Sequence, residues 1–172
     1  HVRSRRQRQM CIRDRYKYAK DFSKDIISLS GLPSETLENI YKRIDKDEYT
    51  ELKVVEPDGN TIKKSQLIEL QNSVSTKPVE ANKIIYIIKN CEKLNSSSAN
   101  CILKFLEEPE DDIIAILLTD NINMVLPTIK SRCQILNFKN NNSNKMKNIL
   151  FFVGLDITDE DKEKFIHNSI DF

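Results

Sequence analysis

The sequence KIIYIIKNCEKLNSSSANCILKFLEEPEDDIIAILL, residues 83–118, holds two nearly continuous apolar runs on either side of a helical pattern. The runs, at 84–88 and 113–118, are rich in β-branched residues, which is typical of strands buried on both faces. Between them, four apolar residues recur at helical spacing and define one helix face: Ala99, Ile102, Leu103 and Leu106. A strand, a helix and another strand in this order predict a βαβ unit and a parallel sheet.

The flanking sequence continues this alternation of helices and strands. We predict further strands at 51–56 and 133–138, and further helices at 16–29, 34–45, 62–73 and 122–131. Residues 16–138 are therefore expected to form an α/β domain, with a mainly parallel sheet flanked by helices in three layers. The Asn-rich residues 139–144 predict a linker, and 145–172 predict the start of a helical lid domain that this chain does not complete.

The charge of the chain is concentrated at its beginning. Of the 172 residues, the first 20 carry eight Lys and Arg and one Asp, whereas the whole chain has a formal net charge of +1. Residues 1–15 have no apolar period and no initial Met, so we expect a non-native segment outside the fold. The alternative is a basic arm that binds nucleic acid through its phosphates.

Several kinds of chemistry lack the residues that they need. The cysteines, at 11, 91, 101 and 133, have no metal-site spacing, so no metal centre is predicted. Only two histidines exist, which argues against a catalytic triad. Without an apolar run long enough to span a bilayer, the expected location is the cytoplasm, with no membrane partner.

Two positions bear on nucleotide chemistry. Gly59 precedes Lys64-Ser65, but the second glycine of a phosphate-binding loop is missing. In nucleotide-hydrolysing α/β domains a buried strand ends in acids that hold Mg²⁺ and polarise water. Here the strand at 84–88 ends in Lys89-Asn90, which lack carboxylates. We therefore predict that the chain does not hydrolyse ATP and has no intrinsic enzymatic activity.

A family resemblance rests on four pieces of the sequence. The strand KIIYII with CEKLN, and the segments SANCILKFLEEPE, AILLTDN and PTIKSRCQ, occur in that order over residues 83–134. In this order they resemble the clamp-loader subunits of bacterial DNA polymerase III, which belong to the AAA+ class. The likeness covers residues 16–145, although 31–50 match poorly and lack the cysteine-rich zinc module frequent in the family.

The resemblance implies an assembly that uses ATP to place a ring-shaped sliding clamp on primer–template DNA during replication, as part of a DNA-directed DNA polymerase. Lys89-Asn90, in place of the family's acidic pair, implies the non-hydrolysing delta-prime type at the bacterial replisome. Its partners would be gamma/tau and delta subunits, and through them the clamp and DNA. It would need no cofactor itself, since ATP and Mg²⁺ would lie at neighbouring subunits.

The resemblance also implies roles for individual residues. Arg132, within Ser131-Arg132-Cys133, would be an arginine finger that reaches a neighbour's γ-phosphate, a role suited to its planar charged fork. Thr119 to Asn121 would correspond to a γ-phosphate sensor. Whether the intact protein has a phosphate loop and binds ATP stays open.

Three alternatives remain at this point. A gamma/tau-type ATPase would require an acidic pair after residue 88 and an upstream phosphate loop. The basic arm at 1–15 would make the protein a nucleic-acid-binding module. Glu107-Glu108 could act as an acid–base pair, but adjacent helix residues point about 100° apart, which favours a role at the helix end or a subunit contact.

Overall fold

The computed structural model describes residues 2–74, 77–107, 112–139 and 146–153. The chain divides into two compact units, one containing the first 48 residues and the other spanning Tyr49–Gly154. Within the described residues, no helix is long and apolar enough to cross a lipid bilayer.

Two helices, α1 (Val2–Ser28) and α2 (Ser34–Asp45), form the described part of the first unit. Gly31 lies between them with φ +73°, a conformation that costs glycine nothing. The Lys24 ammonium binds the Asp45 carboxylate at 2.6 Å and so joins α1 to the end of α2. Helix α1 begins well before residue 16, where the apolar period begins in the sequence.

The second unit contains a five-stranded sheet with helices α3 (Lys64–Val74), α4 (Ser96–Glu107) and α5 (Pro127–Lys130). The sheet order is β1-β2-β3-β5-β4. Strands β1, β2 and β3 are parallel, whereas β5 is antiparallel to both of its neighbours. The strand bounds are Leu52–Val55 for β1, Ile84–Ile88 for β2, Ile113–Thr119 for β3, Gln134–Lys139 for β4 and Met146–Val153 for β5. The predicted α/β class with a parallel sheet flanked by helices is confirmed for β1 to β3.

Every described residue of β2 and β3 is buried, as their continuous apolar sequence predicts. One face of the two strands, which includes Tyr86 and Leu117, packs in a core with α3, α4 and α5. Leu67, Ile102 and Ile129 come from these helices and are at most 2% exposed. This shared core holds the helices in fixed positions on the sheet, because buried side chains pack as densely as a molecular crystal.

The helix predicted at 122–131 is two shorter elements. A 3-10 turn covers Ile122–Met124, and α5 begins only at Pro127. Leu126 has an extended conformation, with φ −56° and ψ 134°. The ring of Pro127 would clash with Leu126 if Leu126 were helical, so the helix is interrupted at this position.

The helix predicted from residue 145 is also wrong over 146–153, where the chain forms β5. The run ILFFV at 149–153 is continuously apolar and rich in residues that favour strands, and a short run of this kind does not distinguish helix from strand by periodicity alone. Ile116 in β3 pairs with Phe151, which places β5 within the sheet. Residues 140–144 of the predicted linker, and residues 145 and 154–172 of the predicted lid, lie outside the described residues.

Candidate functional site

The carboxyl ends of β1, β2 and β3 lie at the same edge of the sheet, because the three strands are parallel. Ligands of open α/β sheets bind at such an edge. Glu56 follows β1, Lys89 and Asn90 follow β2, and Asp120 and Asn121 follow β3. We call the residues that follow these three strands, together with Glu92 and Thr119, the strand-end cluster.

Lys89 forms an ion pair with Glu56 across the ends of β2 and β1. The Lys89 side chain is only 14% exposed, and its backbone N–H donates to the Val55 carbonyl at 2.9 Å. An ammonium group has no lone pair and cannot ligate Mg²⁺. The end of β2 therefore presents a paired cation where a metal-binding carboxylate would be needed for hydrolysis.

Asn90 has a left-handed conformation, with φ 55°, which Asn tolerates better than most residues. Its side-chain amide donates to Glu92 Oε1 at 3.0 Å and to Asp120 Oδ2 at 3.2 Å. Asn90 thus separates two carboxylates and supplies hydrogen bonds to both, which limits their mutual repulsion. It connects the end of β2 with the end of β3.

Thr119 and Asn121, the predicted sensor residues, use their side chains locally. The Thr119 hydroxyl, in a fully buried residue, donates to Glu92 Oε2 at 2.7 Å and accepts the Asn121 N–H at 3.1 Å. The Asn121 side chain accepts from the Asn123 N–H at 3.1 Å and caps the 3-10 turn that follows. The structure therefore brings Thr119 together with Glu92 and Asn90, whereas the Asn121 side chain is engaged with its own turn.

Of the thiols near this edge, Cys91 is buried and Cys133 is partly buried. Burial, and secondarily the charge of Glu92, raises the pKa of the Cys91 thiol well above its usual value. Burial also raises the pKa of Cys133 to about 12. Neither cysteine forms a disulfide. Because both pKa values are raised, both thiols are protonated at neutral pH and are poor nucleophiles. Cys133, next to Arg132, packs against the core formed by β2, β3 and the helices.

Arg132 follows α5 and folds back against the end of that helix. Its Nη1 donates to the Thr128 carbonyl at 2.8 Å and to Ser131 Oγ at 3.4 Å, and its Nη2 binds Glu107 Oε1 at 2.6 Å. The Ser131 hydroxyl also donates to the Thr128 carbonyl, at 3.1 Å. A carbonyl in the last turn of a helix has no partner within the helix, and basic side chains satisfy it well.

Two carboxylates in contact with predicted site residues, Glu56 and Glu92, were not identified from the sequence, and Glu107 was considered only as part of an acid–base pair and not as a partner of Arg132. Glu56 and Glu92 each follow a strand closely, so grouping all residues that follow parallel strands would have found them. Glu107 contacts Arg132 across 25 positions, which no sequence signal indicates. Glu108, its partner in the acid–base alternative, lies outside the described residues.

In the described part of the chain, His, Cys, Asp and Glu side chains form no group of three or more that could hold a metal ion.

Comparisons with known proteins agree with one another. The family model described as "DNA polymerase III, delta subunit" matches residues 13–142. A DNA polymerase III subunit delta' from Bacillus subtilis is 42% identical over 107 residues, which are 62% of this chain and 32% of that protein. A DNA polymerase III subunit gamma from Buchnera aphidicola is 32% identical over 83 residues, 48% of this chain and 23% of the relative.

A solved structure also matches, that of a DNA polymerase III gamma subunit-related protein from Thermotoga maritima. The TM-score is 0.46 with 29% sequence identity, over 48% of this chain and 28% of the solved one.

The family model and the curated relatives first define a class, the subunits of bacterial DNA polymerase III. More specifically, the chain belongs to the DNA polymerase III delta-subunit family and is of the delta-prime clamp-loader type. It spans about a third of the length of the delta' relative from Bacillus subtilis, 32%.

Proposed function

We propose that the intact protein is a non-hydrolysing clamp-loader subunit that supplies Arg132 to the nucleotide site of a neighbouring subunit. The observation that carries this proposal is the position of Arg132, one-third exposed beyond the end of α5 and held there by two described contacts with other parts of the chain. A charged planar fork at the edge of a domain suits recognition of phosphate oxygens across an interface.

The hydrogen bonds of Arg132 leave donors for such a ligand. A guanidinium group has five N–H donors. Thr128 and Ser131 accept from Nη1, and Glu107 accepts from Nη2. The Nε–H and the second Nη2–H have no partner among the described residues. As far as the described residues show, two donors therefore remain for phosphate oxygens while the side chain is still anchored.

The strand-end cluster supports the absence of hydrolysis by this subunit. A catalytic site of this type needs a carboxylate at the end of the buried strand to hold Mg²⁺. Lys89 occupies that position and pairs with Glu56, and Asn90 pairs with Glu92. The subunit would instead contribute a rigid module, with ATP and Mg²⁺ bound by gamma/tau neighbours and the clamp and primed DNA bound by the assembly.

The proposal is tested with a reconstituted clamp loader that contains the full-length protein. Arg132→Ala and Arg132→Lys are compared with wild type in ATPase assays stimulated by clamp and DNA. Arginine fingers that act in trans contribute ~10³–10⁵ in rate at a single site. We expect a large fall for Arg132→Ala with assembly intact, and a fall for Arg132→Lys too, because lysine lacks the bidentate fork. Unchanged rates in fully assembled complexes would refute the role of Arg132.

A further inference from the structure

Among the described residues, Glu107 is the one that binds the Nη2 nitrogen of the Arg132 guanidinium group. Its Oε1 accepts from Nη2 at 2.6 Å, whereas Thr128 and Ser131 hold Nη1. The guanidinium is thus held from two sides, by the end of α4 and by the end of α5. Contacts on two sides define the plane of the fork, which a contact on one side would leave free to rotate.

The two helices that carry these contacts are joined by a common core. Leu106, next to Glu107 on α4, is 3% exposed, and Ile129 of α5 is fully buried. Both belong to the same cluster of buried residues, together with Val125. Packing therefore holds the backbone next to Glu107 and the backbone next to Arg132 in place. The hydrogen bond between the two side chains can then fix the orientation of the guanidinium.

We propose that Glu107 is a positioning residue, which orients the Arg132 fork towards the nucleotide of the neighbouring subunit. This inference rests on the proposed function of Arg132. The Glu107 carboxylate occupies one N–H of Nη2 and leaves the Nε–H and the other Nη2–H for phosphate oxygens. The pair thereby reduces the rotational freedom of the side chain without occupying the donors that bind phosphate.

The exposure of the pair favours positioning over sequestration. The side chains of Arg132 and Glu107 are 33% and 51% exposed. Ion pairs this open to solvent contribute little net free energy. Glu107 therefore cannot keep the guanidinium away from a phosphate, which accepts stronger, bidentate hydrogen bonds. Orientation is a different effect, because small misplacements of a reacting group can change rates greatly.

The test measures nucleotide turnover by the reconstituted clamp loader with Glu107→Ala and Glu107→Gln in the full-length protein. Glutamine retains an oxygen that accepts the Nη2–H, so it should preserve most of the rate. We expect Glu107→Ala to lower kcat about 10-fold with KM for ATP unchanged. Glu69→Ala is the matched control, because Glu69 is an exposed helical glutamate without a partner among the described residues, and it should leave the rate unchanged.

A double variant separates positioning from general structural damage. If Glu107 acts through Arg132, then Glu107→Ala adds no further loss to Arg132→Ala. A further loss in that background, an unchanged rate for Glu107→Ala alone, or a faster rate would each overturn the positioning role. In those cases a large effect of Arg132→Ala alone would leave the proposed function intact. An unchanged rate for Arg132→Ala would instead remove the proposed function, and the positioning role with it.

Discussion

Glu51 is a buried carboxylate whose hydrogen bonds are supplied mainly by backbone. Its oxygens accept from the N–H groups of Val79, Glu80 and Ala81 at 2.5, 2.8 and 3.2 Å, and from the Tyr49 hydroxyl at 2.8 Å. Burial acts to raise the pKa of Glu51, but the hydrogen bonds outweigh it and the pKa is lowered overall. The residue joins the start of β1 to the loop that precedes β2.

We predict that Glu51→Gln lowers the free energy of unfolding by about 1–3 kcal/mol at neutral pH, because the glutamine amide replaces one of the two oxygens that accept the backbone N–H groups of 79–81. The pH dependence has a definite sign. Since the folded pKa lies below the unfolded value, the stabilisation is complete above the unfolded pKa, about 4.3, and is lost as pH falls through the folded pKa. Thermal unfolding between pH 7 and 3 should therefore decline more steeply for wild type than for Glu51→Gln.

Tyr49→Phe is the matched control for this prediction, because it removes one of the four donors and keeps the carboxylate. Its loss should be smaller, about 0.5–1.5 kcal/mol, and its decline in acid should stay close to that of wild type. Parallel acid profiles for wild type and Glu51→Gln would contradict the assignment of this stabilisation to the Glu51 carboxylate.

Helix α4 begins with a reciprocal pair of hydrogen bonds. The Asn95 side chain accepts from the Ser98 N–H at 2.8 Å, and the Ser98 hydroxyl accepts from the Asn95 N–H at 3.0 Å. This arrangement satisfies donors that the first turn of a helix leaves unpaired. The helix that carries Glu107 at its other end is therefore fixed at its start by Asn95.

We predict that Asn95→Ala lowers the free energy of unfolding by about 1 kcal/mol, whereas Asn95→Asp retains the cap. Urea or thermal unfolding of the full-length protein measures both. Asn100→Ala, an exposed substitution within the same helix, is the control and should change stability by at most about 0.5 kcal/mol. Equal effects of the Asn95→Ala and Asn100→Ala variants would show that the cap does not contribute.

Much of the sheet and of α4 could be predicted because their sequence patterns agree with their surroundings. The apolar runs at 84–88 and 113–118 predicted β2 and β3 nearly to the residue, and the helical spacing between them predicted the apolar face of α4. The pattern at 122–131 failed because Pro127 overrides the apolar period. The run at 149–153 failed because its pairing partners, β3 and β4, decide between helix and strand.

The candidate site could be predicted only in part. Lys89 and Asn90 stand out in the sequence because they directly follow a buried strand, whereas Arg132 was singled out through the family resemblance. The pairs Glu56–Lys89 and Glu107–Arg132 join residues 33 and 25 positions apart, and they depend on how the elements pack. The sequence and the resemblance therefore supplied candidate residues, while their contact partners required the tertiary structure.

The arrangement of the strand-end cluster leads to a prediction about the protein on its own. Glu92 is the nearest carboxylate after β2, but the Thr119 hydroxyl and the Asn90 amide donate to its two oxygens. We therefore expect no Mg²⁺-dependent ATP turnover by the isolated full-length protein, measured as phosphate release, while an assembled clamp loader serves as the positive control. Turnover that co-purifies with the protein and falls in Glu92→Gln would contradict this expectation and favour the gamma/tau type. Turnover equal in wild type and Glu92→Gln would instead indicate a contaminating ATPase, since Glu92 is the first carboxylate after the buried strand.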